Sequence, residues 1–412
     1  MSAEIIILIF LGELGILTGI FTGLFPGIHI NLVAVMIVAF SEALLQIVSP
    51  VALAVFIIAM SITHTFVDFI PSIFLGAPDE NSFLSILPGH QLLLKGQGYF
   101  AVRYTAYGGL IALGVMLLFI PFFIGFLPLL YPYLQNIMGP ILIVLSLYLI
   151  FVEDKKIASL IVFLLAGFLG IATLNLNIKE PLLPLLSGLF GASGLLISLK
   201  QNTTLPEQKI VSTCMICLSK ESLWRVGLAS IIASPFTAFL PGLGASQAAI
   251  IGQQSFQIKD QREFLFLIGA INLLVMGLSF ITLYAIGKTR TGSAVAVSQL
   301  IPEPTIKTLV MMVSVILCSG IASFFITLFL SRIIAKNINR ISYQKTSKIV
   351  LIIVTAMVII FSDFFSSWSG TILGIVIFVT ATALGIFTIS QGVKRIHLMG
   401  CLLIPTILYY IS

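Results

Sequence analysis

Charged side chains are scarce in this sequence of 412 residues. It has 21 Lys and Arg and 15 Asp and Glu, so 9% of its residues are charged, against roughly 25% in a typical soluble domain. A soluble globule could not cover its surface with so few charges when 59% of its residues are hydrophobic and its mean hydropathy is +1.16. The four Cys are too few for a disulfide scaffold, and the apolar content excludes a disordered chain. The composition predicts a polytopic membrane protein.

The apolar residues lie in long continuous blocks, several of which reach the ~20 residues that a helix needs to cross the hydrocarbon core. None alternates with period two, so membrane β-strands are excluded. We expect an all-α protein with about 10–14 membrane segments, including re-entrant or broken helices. We also expect one permease domain over residues 1–412, multi-pass in the plasma membrane.

The longest polar stretches are 76–100, 200–222, 288–304 and 331–348. The last contains Arg332, Lys336, Arg340, Lys345 and Lys348 without an acid, which predicts a cytoplasmic loop. Counting spans back from this loop places 288–304 outside and, with 223–255 taken as a two-limbed hairpin, 255–263 and 200–222 inside. The same count places 153–156 and 76–100 inside and the loop near 49 outside. The net charge of +6 arises from such short loops, so the lipid bilayer rather than a nucleic acid is the expected partner.

Two segments resemble each other at a constant separation of 215 residues. Each has two apolar limbs that are broken at Pro-Gly, and each returns to the side of the membrane it came from. The identical pairs are Gly12/Gly227, Ile16/Ile231, Phe21/Phe236, Thr22/Thr237, Pro26/Pro241, Gly27/Gly242 and Ala34/Ala249. Five spans lie between the two units, which predicts inverted halves of approximately 1–200 and 201–412. This count fails if block 101–131, with Pro121 and Pro128, is two spans.

The two Pro-Gly breaks predict a binding site. Pro ends one half-helix and Gly permits the turn, leaving backbone groups that a cavity or a ligand must satisfy. The next helix then directs free N–H groups and its positive dipole end into the gap, which suits an anion such as a carboxylate. The predicted substrate-binding residues are Pro26, Gly27, His29, Asn31, Pro241, Gly242, Gly244, Ser246 and Gln247. Two ordinary tight turns between hydrophobic helices are the alternative.

Ionisable residues inside apolar blocks often mark ion pathways, because each is costly to insert unpaired. Asp68, with His64 one helical turn before it, is the predicted ligand of a coupling Na⁺ or H⁺. The alternative is a helix-end residue that reaches the membrane interface. Lys288 and Arg290 directly follow a span and would attract or clamp the anion, since Arg offers a bidentate fork to carboxylate. Snorkelling at a helix end is the alternative for these two.

The ordered motifs resemble the large membrane subunit of tripartite tricarboxylate transporters, in particular its shorter archaeal members. The residues that carry the resemblance are the two Pro-Gly segments, Gly76-Ala77-Pro78-Asp79-Glu80-Asn81, Leu87-Pro88-Gly89-His90, Gly96-Gln97-Gly98, and the run 283–293. The resemblance implies a permease that moves a small organic anion, such as a carboxylate, driven by a Na⁺ or H⁺ gradient. It also implies two partners, a small membrane subunit and an extracytoplasmic binding protein. No further cofactor, metal site or catalytic residue is expected.

Two other functions fit parts of the sequence. A flippase for polyprenyl phosphate or another anionic lipid is the main rival, because paired half-helix N-termini also suit phosphate. Gly191-Ala192-Ser193-Gly194 matches the motif of rhomboid-type intramembrane serine proteases, with His397 as the base. That interpretation leaves the inverted repeat unexplained, and small residues recur where membrane helices pack closely. Cys214 and Cys217 have the spacing of half a zinc site without a second pair.

Overall fold

The structure, a computed structural model, describes residues 2–25, 30–39, 41–75, 86–176, 178, 180–200, 206–210, 218–239, 244–289, 291–338, 343–362 and 368–411. Within these ranges the chain is helical, without a strand. The helices of the first part are α1 (Ser2–Leu24), α2 (Ile30–Ala39), α3 (Ser41–Leu44), α4 (Pro50–Val67), α5 (Phe69–Leu75), α6 (Ile86–Leu94), α7 (Gly98–Asn136), α8 (Met138–Val152), α9 (Lys156–Leu174), α10 (Leu182–Leu186) and α11 (Ser193–Lys200). A π-helical turn, Ser187–Ala192, joins α10 to α11.

The helices of the second part are α12 (Lys220–Phe239), α13 (Ala245–Ser255), α14 (Gln261–Ile286), α15 (Gly292–Leu300), α16 (Ile306–Asn337), α17 (Tyr343–Phe361), α18 (Trp368–Ser390) and α19 (Gly400–Ile411). In the described ranges, eight helical segments are long and apolar enough to cross a membrane: Glu4–Leu24, Pro50–Leu75, Gly98–Asn136, Lys156–Leu174, Gln261–Ile286, Ile306–Asn337, Gln344–Phe361 and Trp368–Ser390. Shorter apolar helices cover Met138–Val152, Leu182–Ile197 and Arg395–Ile411. The prediction of an all-α polytopic membrane protein is confirmed.

The helix bounds of the first unit recur in the second. α1 ends at Leu24 and α12 ends at Phe239, while α2 begins at Ile30 and α13 begins at Ala245, so both separations are 215 residues. The segment Pro50–Leu75 and helix α14 each have 26 residues. α6 and α15, which follow them, each have 9. The helices are therefore broken at matching places in the two units, as the Pro-Gly pattern predicts.

The first unit reverses the direction of the chain. Gly15 of α1 lies against the carbonyl of Phe56 in α4, and Gly19, one turn later, lies against the carbonyl of Met60. Later residues of α1 meet later residues of α4, so the two helices run parallel. The intervening residues must therefore return the chain to the side where α1 begins. Glycines at a spacing of four let the two backbones approach closely, as is common between membrane helices.

The long helix α7 is continuous from Gly98 to Asn136, although Pro121 and Pro128 lie within it. Block 101–131 is therefore part of one helix rather than two spans. α7 runs antiparallel to the α4–α5 segment, because Gly98 packs against the ring of Phe74 and Gly109 packs against the ring of Phe66.

Helix α14 runs parallel to α7. Gly269 lies against the backbone of Thr105, and Gly277, two turns later, lies against the sulfur of Met116. Since α7 is antiparallel to α4–α5, the matching segments α4–α5 and α14 run in opposite directions, as an inverted repeat requires.

Helix α14 occupies the centre of the molecule. All of its residues from Glu263 to Leu283 are buried, and most of α4 is buried as well. The outer helices instead expose large apolar side chains, such as Phe10, Leu118 and Phe325. A helix that is hydrophobic on all sides is typical of the core of a large protein, whereas exposed apolar faces on the outer helices suit contact with lipid.

Candidate functional site

The first helix break lies between α1 and α2. Pro26, Gly27 and His29 fall outside the described residues, so the predictions for them remain predictions. Asn31 belongs to the first turn of α2. α2 packs against α15 and α4, so the limb after the break lies in the interior and contacts a helix of the second unit.

The second break lies between α12 and α13. Pro241 and Gly242 fall outside the described residues, but the start of α13 is described. Gly244 precedes the helix, and Ser246 and Gln247 lie in its first turn with no exposed surface. The Oε1 atom of Gln247 accepts a 2.7 Å hydrogen bond from the backbone N–H of Gly244. The Nε2 atom of Gln247 has no hydrogen-bond partner among the described residues.

This amide nitrogen matters because a buried donor without a partner costs about 1–3 kcal/mol. A carboxylate or phosphate oxygen in the gap would satisfy it, as would a backbone carbonyl. The first turn of α13 thus offers the amide of Gln247 and the positive dipole end of a helix where the sequence predicts the anion.

One threonine lies near the end of the first limb of each unit. Thr22 is the third residue from the end of α1, and Thr237 has the same place in α12. Both are buried, and each hydroxyl donates to the carbonyl three residues earlier, Gly19 or Ser234. Across the helix interface, the Oγ1 atom of Thr22 lies 3.0 Å from Nδ1 of His64 in α4.

Asp68 lies at the junction of α4 and α5, inside the 26-residue segment Pro50–Leu75. Its backbone N–H donates to the carbonyl of His64 at 2.9 Å, which confirms that the two residues are one turn apart. Its residue surface is 4% exposed, as is that of His64. The structure therefore buries both predicted coupling-ion residues in the protein interior. No cluster of three or more His, Cys, Asp or Glu that could hold a metal occurs within the described residues.

A line of hydroxyl side chains on α16 is absent from the sequence prediction. Ser319, Ser323, Thr327 and Ser331 repeat every fourth residue on one face of α16, and all are buried. Ser323 donates to the hydroxyl of Thr63 in α4 at 2.8 Å, next to His64 in sequence. The spacing of four within an apolar block was the available signal, because polar residues on a membrane helix face protein rather than lipid.

The loop after α14 does not place Lys288 with the buried groups, because its side chain is exposed. Gly287 ends α14 in the left-handed conformation, with φ 61°. Thr289 and Thr291 then return to Ser279, whose hydroxyl lies 3.2 Å and 2.7 Å from theirs. Arg290 falls outside the described residues. The predicted clamp by Lys288 and Arg290 therefore stays a prediction.

The protease motif has other hydrogen-bond partners in the structure. The hydroxyl of Ser193 donates to the carbonyl of Leu189 in its own helix at 2.6 Å. The Nε2 atom of His397 lies 3.2 Å from the carboxylate of Glu153. Neither of these hydrogen bonds joins Ser193 to His397. Cys214 and Cys217 fall outside the described residues.

Helices broken at matching positions of two inverted units, beside buried polar and ionisable residues, are typical of secondary transporters. The model of the tripartite tricarboxylate transporter TctA family matches residues 8–400. The chain therefore belongs to the TctA family of the tripartite tricarboxylate transporters, and it is a multi-pass membrane protein of a transporter family.

The chain is 30% identical over 404 residues to the uncharacterized protein MJ1079 of Methanocaldococcus jannaschii, covering 97% of this chain and 98% of that relative. No solved structure matches the chain.

Proposed function

We propose that the protein is a secondary active permease that moves a small organic anion, such as a carboxylate, together with Na⁺ or H⁺. The observation that carries this proposal is the pair of helix breaks at matching positions. The second break is followed by α13, whose first turn contains the fully buried Gln247. Membership of the TctA family supports a carboxylate as the transported species.

The proposed transport unit consists of two inverted halves, approximately 1–200 and 201–412. One half would carry the substrate across the membrane while the other stays fixed. Backbone N–H groups after Pro26-Gly27 and Pro241-Gly242 would bind the anion, and the side chains that would orient it are Asn31, Ser246 and Gln247. Asp68 would bind the coupling ion, and His64 would position it. The proposed partners are the small membrane subunit and the extracytoplasmic binding protein that the family name implies.

Uptake by the purified full-length chain in proteoliposomes tests the function. Dicarboxylates and tricarboxylates are offered under an inward Na⁺ gradient and, separately, an inward pH gradient. We expect uptake of at least one of these anions under one of the two gradients. Failure with every anion under both gradients would contradict the proposal, and flipping of a polyprenyl phosphate by the same vesicles would support the rival function.

Gly27→Leu and Gly242→Leu test the binding site. Each adds a large side chain where the anion would meet backbone N–H groups, so uptake should be lost while membrane insertion persists. Gly114→Leu is the matched control, because nothing lies within 4 Å of the position that its Cβ would take. Unchanged uptake in both break variants would refute the site.

A further inference from the structure

A cavity of about 530 Å³ lies between the end of α6 and the start of α14, away from the helix breaks. The residues that line it are Leu92, Lys95, Gln97, Asp260, Gln261 and Arg262. A hydrogen bond between the side chains of Gln91 and Gln261 joins its two walls. The cavity volume falls within the ~300–1,000 Å³ that is usual for small-molecule sites.

The charges in this cavity favour an anion. The carboxylate of Asp260 caps the N-terminus of α14, because it accepts a 2.7 Å hydrogen bond from the backbone N–H of Arg262. Within the described part of the chain, neither the ammonium of Lys95 nor the guanidinium of Arg262 forms an ion pair. Two cations therefore share the cavity with one acid that caps a helix. Gln97 and Gln261 add amide groups that can donate to carboxylate oxygens.

The two cations of this cavity have apolar counterparts in the other half of the molecule. Lys95 directly follows α6, and Ile301 directly follows the matching helix α15. Arg262 is the second residue of α14, and Val51 is the second residue of α4, where the matching segment begins. Ile301 is buried, and Val51 packs against the same hydrophobic cluster.

The matching short helices α6 and α15 also differ in the helices that they pack against. α15 packs against α2, the limb that follows the first break. α6 packs mainly against α5, α7 and α14. Among the described residues it has no comparable contact with α13, the limb that follows the second break. The molecule therefore has two cations at one of the two related places, where the other has the apolar residues Ile301 and Val51.

We propose that this cavity is an anion vestibule on the cytoplasmic face, in which Lys95 and Arg262 bind the carboxylate groups of the transported anion as it enters or leaves. The proposal rests on the function proposed above. Its sidedness follows from the expected cytoplasmic location of 76–100 and 255–263, which the contact between Gln91 and Gln261 places together. Because the residues that match Lys95 and Arg262 are the apolar Ile301 and Val51, the described residues do not repeat this pair of cations at the opposite face.

Cysteine reactivity tests the vestibule without any transport assay. In the full-length chain, Gln97→Cys is labelled from the cytoplasmic side with a sulfonate-bearing or a trimethylammonium-bearing thiosulfonate. The anionic reagent should react faster, and Lys95→Gln with Arg262→Gln should lower the ratio of the two rates roughly tenfold, the scale of charge focusing in a cleft. The native background without Gln97→Cys corrects for labelling of the endogenous cysteines. A ratio unaffected by the double variant would overturn the proposal.

Transport kinetics then test the role of the vestibule. The double variant should raise the half-saturating anion concentration at the cytoplasmic face about tenfold and leave that at the opposite face unchanged. Lys95→Arg with Arg262→Lys should preserve the wild-type value, and Lys307→Gln, an exposed lysine in α16, serves as the control. Equal changes at both faces would overturn the one-sided role. If the double variant lowers the ratio of the two labelling rates but the wild-type protein transports no anion, the electropositive cavity is supported and the proposed transport function is contradicted.

Discussion

The imidazole of His64 lies with Nδ1 3.0 Å from the hydroxyl of Thr22, less than one turn before α1 ends at the first helix break. This contact joins the end of a broken helix to the buried segment that carries Asp68. Counted from the first residue of each 26-residue segment, Val275 of α14 occupies the position that matches His64. The helices that flank the two breaks have matching bounds, and the contact between Thr22 and His64 ties the end of α1 to the segment of the proposed coupling-ion site.

Thr22→Val tests this link. The substitution keeps the shape of the side chain and removes one hydrogen-bond partner of a buried imidazole, a loss worth about 1–3 kcal/mol. We expect the initial rate of uptake to fall several-fold and its dependence on the cation gradient to weaken. Thr237→Val is the matched control, because it removes a hydroxyl with the same place and the same back-bond in α12, where Val275 occupies the position that matches His64. Equal effects of the two variants would mean that the contact has only a packing role.

Close helix packing gives a stability prediction. A Cβ at Gly269 would lie 2.2 Å from the carbonyl oxygen of Thr105, so Gly269→Ala must push α14 away from α7. Overpacking of this kind costs about 1–3 kcal/mol or more, and we expect a lower thermal unfolding temperature in detergent. Gly227→Ala is the control, since nothing lies within 4 Å of its Cβ position. An unfolding temperature equal to that of the wild type would contradict the central packing of α14.

Hydropathy and the Pro-Gly pattern were sufficient to predict the helical class and the matched breaks, because both follow from local backbone chemistry. Spacing in the sequence also predicted the proximity of His64 and Asp68. The hydrogen bond between Ser323 and Thr63 was not predictable, since it joins residues 260 positions apart. The cavity at Lys95 and Arg262 likewise depends on which helices pack together, and this information is not contained in either segment alone.

The carboxylate of Glu153 joins two distant parts of the chain. Its Oε2 lies 3.2 Å from Nε2 of His397 and 3.3 Å from Nζ of Lys394. Burial alone would raise the pKa of Glu153, but the hydrogen bond from His397 and the charge of Lys394 outweigh burial and hold the pKa below its usual 4.5. A carboxyl group with a lowered pKa stabilises the folded state at neutral pH, and this contribution is lost as the pH falls through the folded-state pKa.

Glu153→Gln should therefore lower the free energy of unfolding at pH 7 by about 1–3 kcal/mol, because the buried His397 loses its charged partner. The difference between wild type and variant should narrow as the pH falls below 4.5, the usual value for this group. Thermal unfolding in detergent across this pH range measures both effects. Glu303→Gln, which alters an exposed acid, should show no such convergence. A difference that stays constant with pH would contradict the role of the carboxylate charge.

Asp68→Asn tests the proposed coupling ion. Asp68 and Ser279 occupy matching places in the inverted segments, but only Asp68 can carry a negative charge for Na⁺ or accept a proton. The amide keeps the size of the side chain and removes the charge, so gradient-driven accumulation of the anion should be lost. Exchange of anion for anion, which needs no net ion movement, should persist. Glu13→Gln, on the exposed side of α1, is the control and should accumulate anion as the wild type does. Accumulation by Asp68→Asn at the wild-type rate under the same gradient would show that the coupling ion binds elsewhere.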